Sequence, residues 1–443
     1  MWILSIYFLC LLLMGWFAFC RKPLLSDFLV ANRQMSAFQI GISMIATCVG
    51  GTATIGVAGN VAVKGFPAIW WLLSGALGLL VLAIFLSKAV RQTEAMTLPE
   101  IMEKFINQDA RKIGAWIIAI AWVAILAAQF SAAARIMTAF GLSFYSALCL
   151  ACLVITLYTA LGGQVSVIKS DLWQYLLVII SFIAVLFYLY SIDHNALSHI
   201  QWELSNAQFT PLDIGHYLLF VGFAYVIDPM LFSRILSAKD ERTAVAGSIL
   251  GAIGIALSGV LIVLVSFAAL YFAPQNVPQD AILTTAIMEQ LPDFLSIFLL
   301  LGLLSAVISS ADTVLITAAS VFSHDILCSR QLTTYRMMTL LFAVAALFLA
   351  LRGSTILNYL FAANDIFVAG VVIPLFFALI FKGKINPNLI VLGMIVGSLL
   401  GLVSSLGSLL NAGGVFDNKI YSICGIACSI MLCLLAKWKF QAT

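Results

Sequence analysis

The chain of 443 residues consists mainly of long apolar runs that are separated by short polar connections. About 20 consecutive apolar residues are enough for a helix to cross the hydrocarbon core of a bilayer. The pattern predicts about thirteen transmembrane helices, at 2–20, 36–63, 67–88, 113–140, 142–162, 165–191, 213–234, 243–273, 294–323, 333–352, 355–381, 387–410 and 419–437. We therefore expect an all-α polytopic membrane protein.

Two of these runs are interrupted by residues that weaken a helix. The second run contains Gly50-Gly51 and the seventh contains Asp228-Pro229. A break inside a bilayer is tolerated where it is buried in protein or lines a polar cavity, and transporters commonly bind their solutes at such breaks. Close helix packing through small residues is the alternative explanation for the two glycines.

The two interrupted runs lie five spans apart along the chain. If spans two to six form one repeat and spans seven to eleven form another, the breaks fall at corresponding positions of two inverted repeats. This spacing predicts a 5+5 inverted-repeat transporter core with discontinuous helices. The predicted division is a leading helix and loop at 1–35, repeats at 36–191 and 192–381, and two final transmembrane helices at 382–443.

Composition and charge agree with a membrane protein and predict its orientation. Hydrophobic residues make up 63% of the chain and charged residues only 9%, which excludes an ordinary soluble domain. With the N-terminus outside, 18 of the 22 Lys and Arg residues fall on the inner side; Lys64, Arg352 and Lys419 fall outside, and Arg135 lies within a span. The positive-inside rule then predicts a multi-pass protein of the plasma (inner) membrane with a cytoplasmic C-terminus. Because the basic residues are dispersed at span ends, the net charge of +3 does not indicate a nucleic-acid partner, and the apolar composition indicates the lipid bilayer.

Five segments, taken in order, resemble the sodium:solute symporter family over nearly the whole chain. They are IATCVGGTATIGVAGNVAVKG (45–65), MTLPEIMEKF (96–105), LYTALGGQVSVIKSDLWQ (157–174), DPMLFSRILSAKD (228–240) and LLSAVISSADTVLITAASVFSHDI (303–326). The patterns ATCVGG and SSAD are most similar to the branch around the choline transporters. The resemblance implies symport of a small-molecule solute with Na⁺ as the coupling ion, without a cofactor.

The resemblance also implies a sodium site between the second and ninth spans. Its ligands would be the hydroxyls of Ser309 and Ser310 and the carbonyls of Ala46, Val49 and Ala306. Sodium is a hard cation that takes oxygen ligands, and unwound backbone supplies carbonyls without adding charge. The alternative for the two serines is that their hydroxyls bond to carbonyls of their own helix.

A second cation site is predicted at Asp171, Asp312 and Thr313. In some family members an acid at the position of Asp171 completes such a site. The alternative for Asp171 is that it complements the dipole in the first turn of its helix. Asp312 lies deeper in its span, where a carboxylate is expected to have a functional role.

The predicted solute-binding residues are Cys48, Gly50, Gly51, Thr52, Arg135 and Asp228. The Arg135 guanidinium suits a carboxylate; the alternatives are that it reaches the membrane interface or pairs with an acid such as Asp365. Asp228 suits an ammonium group, or it bonds backbone N–H groups that the break leaves free. Choline transporters surround their ligand with aromatic residues, whereas this chain has Cys48 and Asp228 at the corresponding positions. An amino acid or another carboxylate is therefore the favoured solute.

Other functions are less consistent with these residues. The alternatives are a proton-coupled carrier of the same fold and a membrane nutrient sensor. Against the sensor, we expect no output domain after the last span. An enzyme is not expected, because the four histidines do not combine with acids or cysteines in a metal-binding spacing within a span.

Overall fold

The computed structural model describes residues 2–20, 24–272, 283, 291–354, 356–409 and 420–441, and the secondary structure of these residues is helical throughout, without a strand. Its helices are α1 (Trp2–Cys20), α2 (Leu25–Val30), α3 (Ala37–Cys48), α4 (Thr52–Lys64), α5 (Phe66–Gln92), α6 (Leu98–Phe105), α7 (Gln108–Thr138), α8 (Phe144–Ile192), α9 (Pro211–Leu236), α10 (Glu241–Tyr271), α11 (Asp293–Ile326), α12 (Leu332–Ala350), α13 (Asn358–Ile380), α14 (Pro387–Leu409) and α15 (Ile420–Gln441). The prediction of an all-α polytopic protein is confirmed.

The predicted count of thirteen spans is not confirmed. Eleven of the described helices are long and apolar enough to cross a membrane, and the bent pair of α3 and α4 makes twelve. The difference lies in α8, in which the predicted spans 142–162 and 165–191 follow each other as two helical halves joined by a kink at Gly163. Its backbone is non-helical at Gly163, where φ is 62° and ψ is −170°.

Both predicted helix breaks are present. Helices α3 and α4 are bent by 58° where the chain passes through Val49, Gly50 and Gly51. In α9 the backbone leaves the helical region at Ile227 and Asp228, and Pro229 begins the second half of the helix. Proline is favoured at this first position, because its missing N–H would have no helical partner there.

Local capping positions the elements around the first break. The Ser36 hydroxyl accepts the Gln39 N–H, and the Gln39 side chain accepts the Ser36 N–H, so a capping box begins α3. Helices α7 and α11 have the largest buried fractions among the apolar helices, while α1 and α15 have large exposed faces. The central layer of the protein is therefore built by α7, α11 and the two broken helices. The boundaries of the two repeats, at 36–191 and 192–381, stay a prediction.

Candidate transport site

The first break brings the backbone of the α3–α4 junction against α11. A Cβ atom added to Gly50 would lie 2.3 Å from the Ser310 Oγ atom, and one added to Gly51 would lie 2.5 Å from the Ala132 Cβ atom. Side chains do not approach each other this closely, so both positions need glycine. The break therefore allows backbone oxygens of α3 to reach the serine pair of α11.

Three of the predicted sodium ligands, Ser309, Ser310 and Ala46, meet at this junction. The Ser310 hydroxyl donates to the Thr47 carbonyl at 2.8 Å and lies 3.4 Å from the Ala46 carbonyl oxygen. The Ser309 hydroxyl instead donates to the Asp171 carboxylate, with an Oγ to Oδ1 distance of 2.5 Å. Ser309 and Ser310 are fully buried. The cluster therefore offers hydroxyl, carbonyl and carboxylate oxygens, which are the ligands that a hard cation prefers.

The remaining two predicted ligands border the same place. Val49 ends α3 with a non-helical conformation, φ −91° and ψ 59°, which turns its carbonyl away from the helix axis. Ala306 lies one turn before Ser310 on α11 and is buried. The Thr47 carbonyl, which sequence reasoning missed, is the closest backbone oxygen to Ser310 among these contacts.

The predicted second cation site contains an arginine that sequence reasoning placed on the cytoplasmic side. Arg234 belongs to the second half of α9, and its side chain is fully buried. Its Nη2 atom donates to Thr313 Oγ1 at 2.6 Å, to Thr47 Oγ1 at 3.3 Å and to Asp171 Oδ2 at 3.5 Å. The second break was the available signal, because it lies less than two helical turns before this arginine.

Asp171 and Asp312 differ in how their oxygens are bonded. Asp171 accepts hydrogen bonds from both Ser43 and Ser309 and faces Arg234. Asp312 Oδ1 lies 3.4 Å from the Thr313 hydroxyl, whereas Oδ2 has no hydrogen-bond partner among the described residues. Both carboxylates are fully buried. The structure therefore brings Asp171, Asp312 and Thr313 together, as predicted from the sequence, but around a guanidinium group.

A cavity of about 80 Å³ lies between the two breaks. Four of the six predicted solute-binding residues line it, namely Cys48, Gly50, Thr52 and Asp228. The second break positions Asp228 there: Asp228 Oδ1 accepts the Met230 N–H at 2.7 Å and the Leu231 N–H at 3.0 Å, capping the second half of α9. Ser310 and Thr47 also line the cavity, so the serine cluster is directly adjacent to it.

Four aromatic rings, one of them on the broken helix α9 and three on other helices, line this cavity. They are Trp71 of α5, Trp122 of α7, Tyr225 of α9 and Phe367 of α13. Trp122 and Phe367 pack edge to face, with their ring centroids 4.9 Å apart. Sequence reasoning missed these rings, because it considered only the positions next to the breaks. Of the four rings, only Tyr225 could be connected with the site from the sequence, because it lies three residues before Asp228.

Two predicted solute-binding residues lie elsewhere. Gly51 is not among the lining residues, and its N–H donates to Gln129 Oε1 at 3.1 Å. Arg135 lies in the last turn of α7, with its Cζ atom 6.0 Å from the centroid of the Phe144 ring. Gln129, which does line the cavity, is six residues earlier on α7, roughly 9 Å along the helix axis. The structure therefore does not place Arg135 at the cavity, because Arg135 lies in the last turn of α7, beyond the cavity-lining part of the helix.

Comparison with known sequences gives matches over nearly the whole chain. The sequence model described as the sodium:solute symporter family matches residues 28–397. The osmoregulated proline transporter of Bacillus subtilis is 23% identical over 473 residues, covering 99% of this chain and 95% of that protein. The sodium/pantothenate symporter of Haemophilus influenzae is 24% identical and covers 71% of this chain and 69% of that protein. A sodium/proline symporter of Staphylococcus aureus is 22% identical, with coverages of 90% and 84%.

Solved structures give the same result for the fold. A Na⁺-coupled sialic acid symporter in a substrate-bound, outward-open state matches 100% of this chain and 97% of its own, with a TM-score of 0.77 and 16% identity. A nucleobase-cation-symport-1 family transporter in a closed conformation has a TM-score of 0.64 at 10% identity, with 94% of each chain covered. These similarities concern the arrangement of the helices.

Proposed function

Because the chain belongs to the sodium:solute symporter family, a family of transporters rather than enzymes, we propose that it imports a small amino acid by alternating access. Membership of the family makes it a sodium-coupled symporter of a small solute and an integral membrane protein. The proposal concerns the chemistry of the solute, the residues that bind it and the direction of transport.

The observation that carries the proposal is the chemistry of the cavity wall. Asp228 supplies a carboxylate between four aromatic rings, and no Lys or Arg is among the described residues that line the cavity. A cation is attracted both by a carboxylate and by the faces of aromatic rings. The cavity therefore suits a solute with an ammonium group, which an amino acid has and a simple carboxylate lacks.

The first break supports binding of the other end of an amino acid. Helix α4 begins directly after Gly50 and Gly51, and its first turn faces the cavity through Thr52. A helix N-terminus favours negative charge, and half-helices of transporters use this end to hold a substrate carboxylate. A carboxylate near Thr52 and an ammonium group near Asp228 would span the cavity. Two of the compared relatives are named as proline transporters, and proline has both groups.

We further propose that sodium binds between α3 and α11, at the carbonyls of Ala46, Val49 and Ala306 and the hydroxyls of Ser309 and Ser310. Support comes from the convergence of Ser310 with the carbonyls of Ala46 and Thr47 at the edge of the cavity. A sodium ion here would hold α3 against α11, which defines one wall of the solute cavity. This arrangement couples the binding of the ion to the binding of the solute.

The test is uptake into proteoliposomes that contain purified protein, with an imposed sodium gradient or an imposed proton gradient. We expect sodium-driven uptake of one or more small amino acids, with competition by amines and little competition by propionate, which lacks an ammonium group. Uptake driven equally by protons without sodium would indicate the proton-coupled alternative. Competition by propionate as strong as by the amino acid would contradict the assigned role of Asp228.

The sodium ligands have a separate test. Ser310→Ala removes a hydroxyl oxygen, and we expect the sodium concentration for half-maximal uptake to rise roughly tenfold, as for loss of about 1.4 kcal/mol of a charge-assisted contact. Ser320→Ala removes a hydroxyl from the same helix two to three turns away and is the matched control. Equal sodium dependence in both variants would show that Ser310 is not a sodium ligand.

A further inference from the structure

Arg234 occupies the middle of a buried group of charges in the membrane core. Its guanidinium contacts oxygens on α3, α8 and α11, through Thr47, Asp171 and Thr313 respectively. Asp312, next to Thr313, is fully buried and close enough to Arg234 and Asp171 to interact electrostatically. These contacts join the second half of the broken helix α9 to the three helices that surround the predicted cation sites.

Two of the three side chains that would hold a second sodium ion already bond this guanidinium. The predicted ligands were Asp171, Asp312 and Thr313, and Arg234 Nη2 lies 2.6 Å from Thr313 Oγ1 and 3.5 Å from Asp171 Oδ2. A cation placed on these two oxygens would be in contact with a positive group in a fully buried region. Charges of like sign at such a distance repel strongly where the dielectric constant is low.

The charges of the group leave room for one additional positive charge. Asp171 and Asp312 contribute two negative charges and Arg234 contributes one positive charge, so one negative charge is left over when both acids are ionised. An uncompensated buried charge is costly and calls for a counter-charge. A single sodium ion beside Ser309, whose hydroxyl donates to Asp171, would neutralise the group. A second sodium ion would leave it positively charged.

We propose that the Arg234 guanidinium is a built-in cation that takes the place of a second sodium ion. The protein then binds one sodium ion per solute, a statement that rests on the sodium coupling proposed above. The guanidinium also couples α9 to ion binding, because sodium at the serine pair and Arg234 would both interact with Asp171. Binding of sodium therefore changes the net charge of the group that attracts Arg234 and, through Arg234, the second half of α9.

The first experiment measures the wild-type protein. The uptake of radiolabelled sodium and of solute into the same proteoliposomes gives their ratio, for which we expect one, and a sodium Hill coefficient of about 1, the limit for a single site. A ratio of two sodium ions per solute would overturn the proposal, because Arg234 would then not exclude the second ion.

The second experiment removes the guanidinium. Arg234→Ala leaves a space lined by Asp171, Asp312 and Thr313, and we expect guanidinium ions at millimolar concentration to raise the melting temperature of this variant in sodium-free buffer. The wild type and Arg336→Ala, which lacks an arginine that stacks on Phe19, should show no such increase. Stabilisation that is the same in all three proteins would contradict the proposal. Because this measurement needs neither sodium nor uptake, it stands even if sodium coupling fails.

A third experiment covers the case in which Arg234→Ala does not fold. The double variant Arg234→Gln/Asp312→Asn removes one positive and one negative charge together and so keeps the net charge of the group. We expect it to be more stable than Arg234→Gln alone and to retain a Hill coefficient of about 1. If the second substitution adds to the loss of stability instead, Arg234 does not serve as the counter-charge of these acids.

Discussion

At the scale of single residues, Asp228 combines a structural and a chemical task. One carboxylate oxygen caps the second half of α9 by accepting two backbone N–H groups, and the side chain also faces the cavity. Both interpretations of Asp228 that the sequence allowed, as a partner for free N–H groups and as a partner for an ammonium group, are therefore compatible with the structure. They can be separated experimentally, because asparagine caps a helix about as well as aspartate.

Asp228→Asn should keep the cap and lose the charge. We expect solute affinity to fall roughly tenfold to a hundredfold, since hydrogen bonds to charged groups contribute about 1.5–3 kcal/mol. Competition binding of the solute to purified protein measures this change. The control is Asp240→Asn, which alters the exposed cap of α10, where Asp240 accepts the Thr243 N–H at 2.8 Å. If both variants bind the solute as the wild type does, Asp228 has only the structural task.

At the scale of helices, the close approach of the α3–α4 junction to α11 determines what the break can do. The predicted ligands lie on two different helices, so their distances depend on how closely the helix backbones pack. Glycine at the junction allows a contact that any other residue would prevent. The interpretation of the glycines as packing residues and their interpretation as a transport-site break are thus two descriptions of one contact.

Gly50→Ala tests this contact. The added Cβ atom would meet Ser310 Oγ at 2.3 Å and Ser310 Cβ at 2.7 Å, so α11 must move away from the junction. We expect a loss of about 1–3 kcal/mol in the free energy of unfolding, as for other overpacked sites, and a larger loss of sodium affinity than of overall stability. Gly215→Ala is the control, since nothing lies within 4 Å of its added Cβ atom. Unchanged sodium dependence in Gly50→Ala would show that the junction is not part of the ion site.

A second group of contacts joins three helices at the end of the protein that is predicted to be cytoplasmic. Arg111 at the start of α7 pairs with Asp325 at the end of α11 at 2.7 Å and with Glu103 of α6 at 2.6 Å. Thr97, which caps α6, donates to the same Asp325 oxygen at 3.0 Å. Asp325 is buried, so its charge depends on these partners.

Glu100, the third acid of this group, is held in its ionised form. Burial alone would raise the pKa of Glu100, but hydrogen bonds from His324 and from the Met96 N–H outweigh burial and lower the pKa to about 2. A carboxyl group with a lowered pKa stabilises the fold above its unfolded pKa, and this contribution is lost as the pH falls towards the folded value. The α6 contacts are therefore fully formed at neutral pH.

Arg111→Gln should leave Asp325 buried without its charged partner. We expect the free energy of unfolding to fall by up to about 3 kcal/mol, because removing one partner of a buried ion pair exposes the desolvation cost of the other. Lys88→Gln breaks the exposed pair between Lys88 and Glu241 and should change stability by less than about 1 kcal/mol. Thermal denaturation of both variants provides the comparison. Equal small effects would mean that the Arg111 pairs do not hold α6, α7 and α11 together.

At the scale of the whole molecule, the relevant quantity is the charge that crosses the membrane with each solute. The buried carboxylates Asp171, Asp312 and Asp228 face one guanidinium, one proposed sodium ion and the ammonium group of the proposed solute. With these ligands bound, each of the three carboxylates has a positive partner, and the carboxylate of the solute lies at the N-terminus of α4, which favours negative charge; both lower the cost of enclosing the charges away from water. The net movement is then one positive charge per amino acid, because an amino acid is neutral overall.

The membrane potential should therefore accelerate uptake by the work done on a single charge. A potential of 100 mV, negative inside, adds about 2.3 kcal/mol to the driving force for each charge moved. Setting the potential with a potassium gradient and valinomycin, and measuring charge and solute movement together, gives the charge per solute directly. We expect one charge per amino acid. Two charges would contradict the single-sodium cycle, and potential-independent uptake would contradict sodium symport without a counter-ion.

The sequence by itself determined what depends on local chemistry. Apolar run length predicts where the long apolar helices lie, including the two halves of α8 that meet at the Gly163 kink. The pairs Gly50-Gly51 and Asp228-Pro229 locate the two breaks, because glycine and proline act on the backbone of their own segment. The sequence also identifies Ser309 and Ser310 as a pair, because they are consecutive residues of the apolar run that forms α11.

Only the tertiary structure decided which side chains meet at the breaks. Trp71, Trp122 and Phe367, from three separate helices, line the same cavity as Asp228, and Arg234 turns inwards to Asp171 although its position near a span end suggested the cytoplasmic side. Helical periodicity predicts which residues share a face, but it contains no information about which helix that face contacts. That choice depends on packing and charge pairing summed over many helices, so the chemistry of the cavity becomes visible only in the fold.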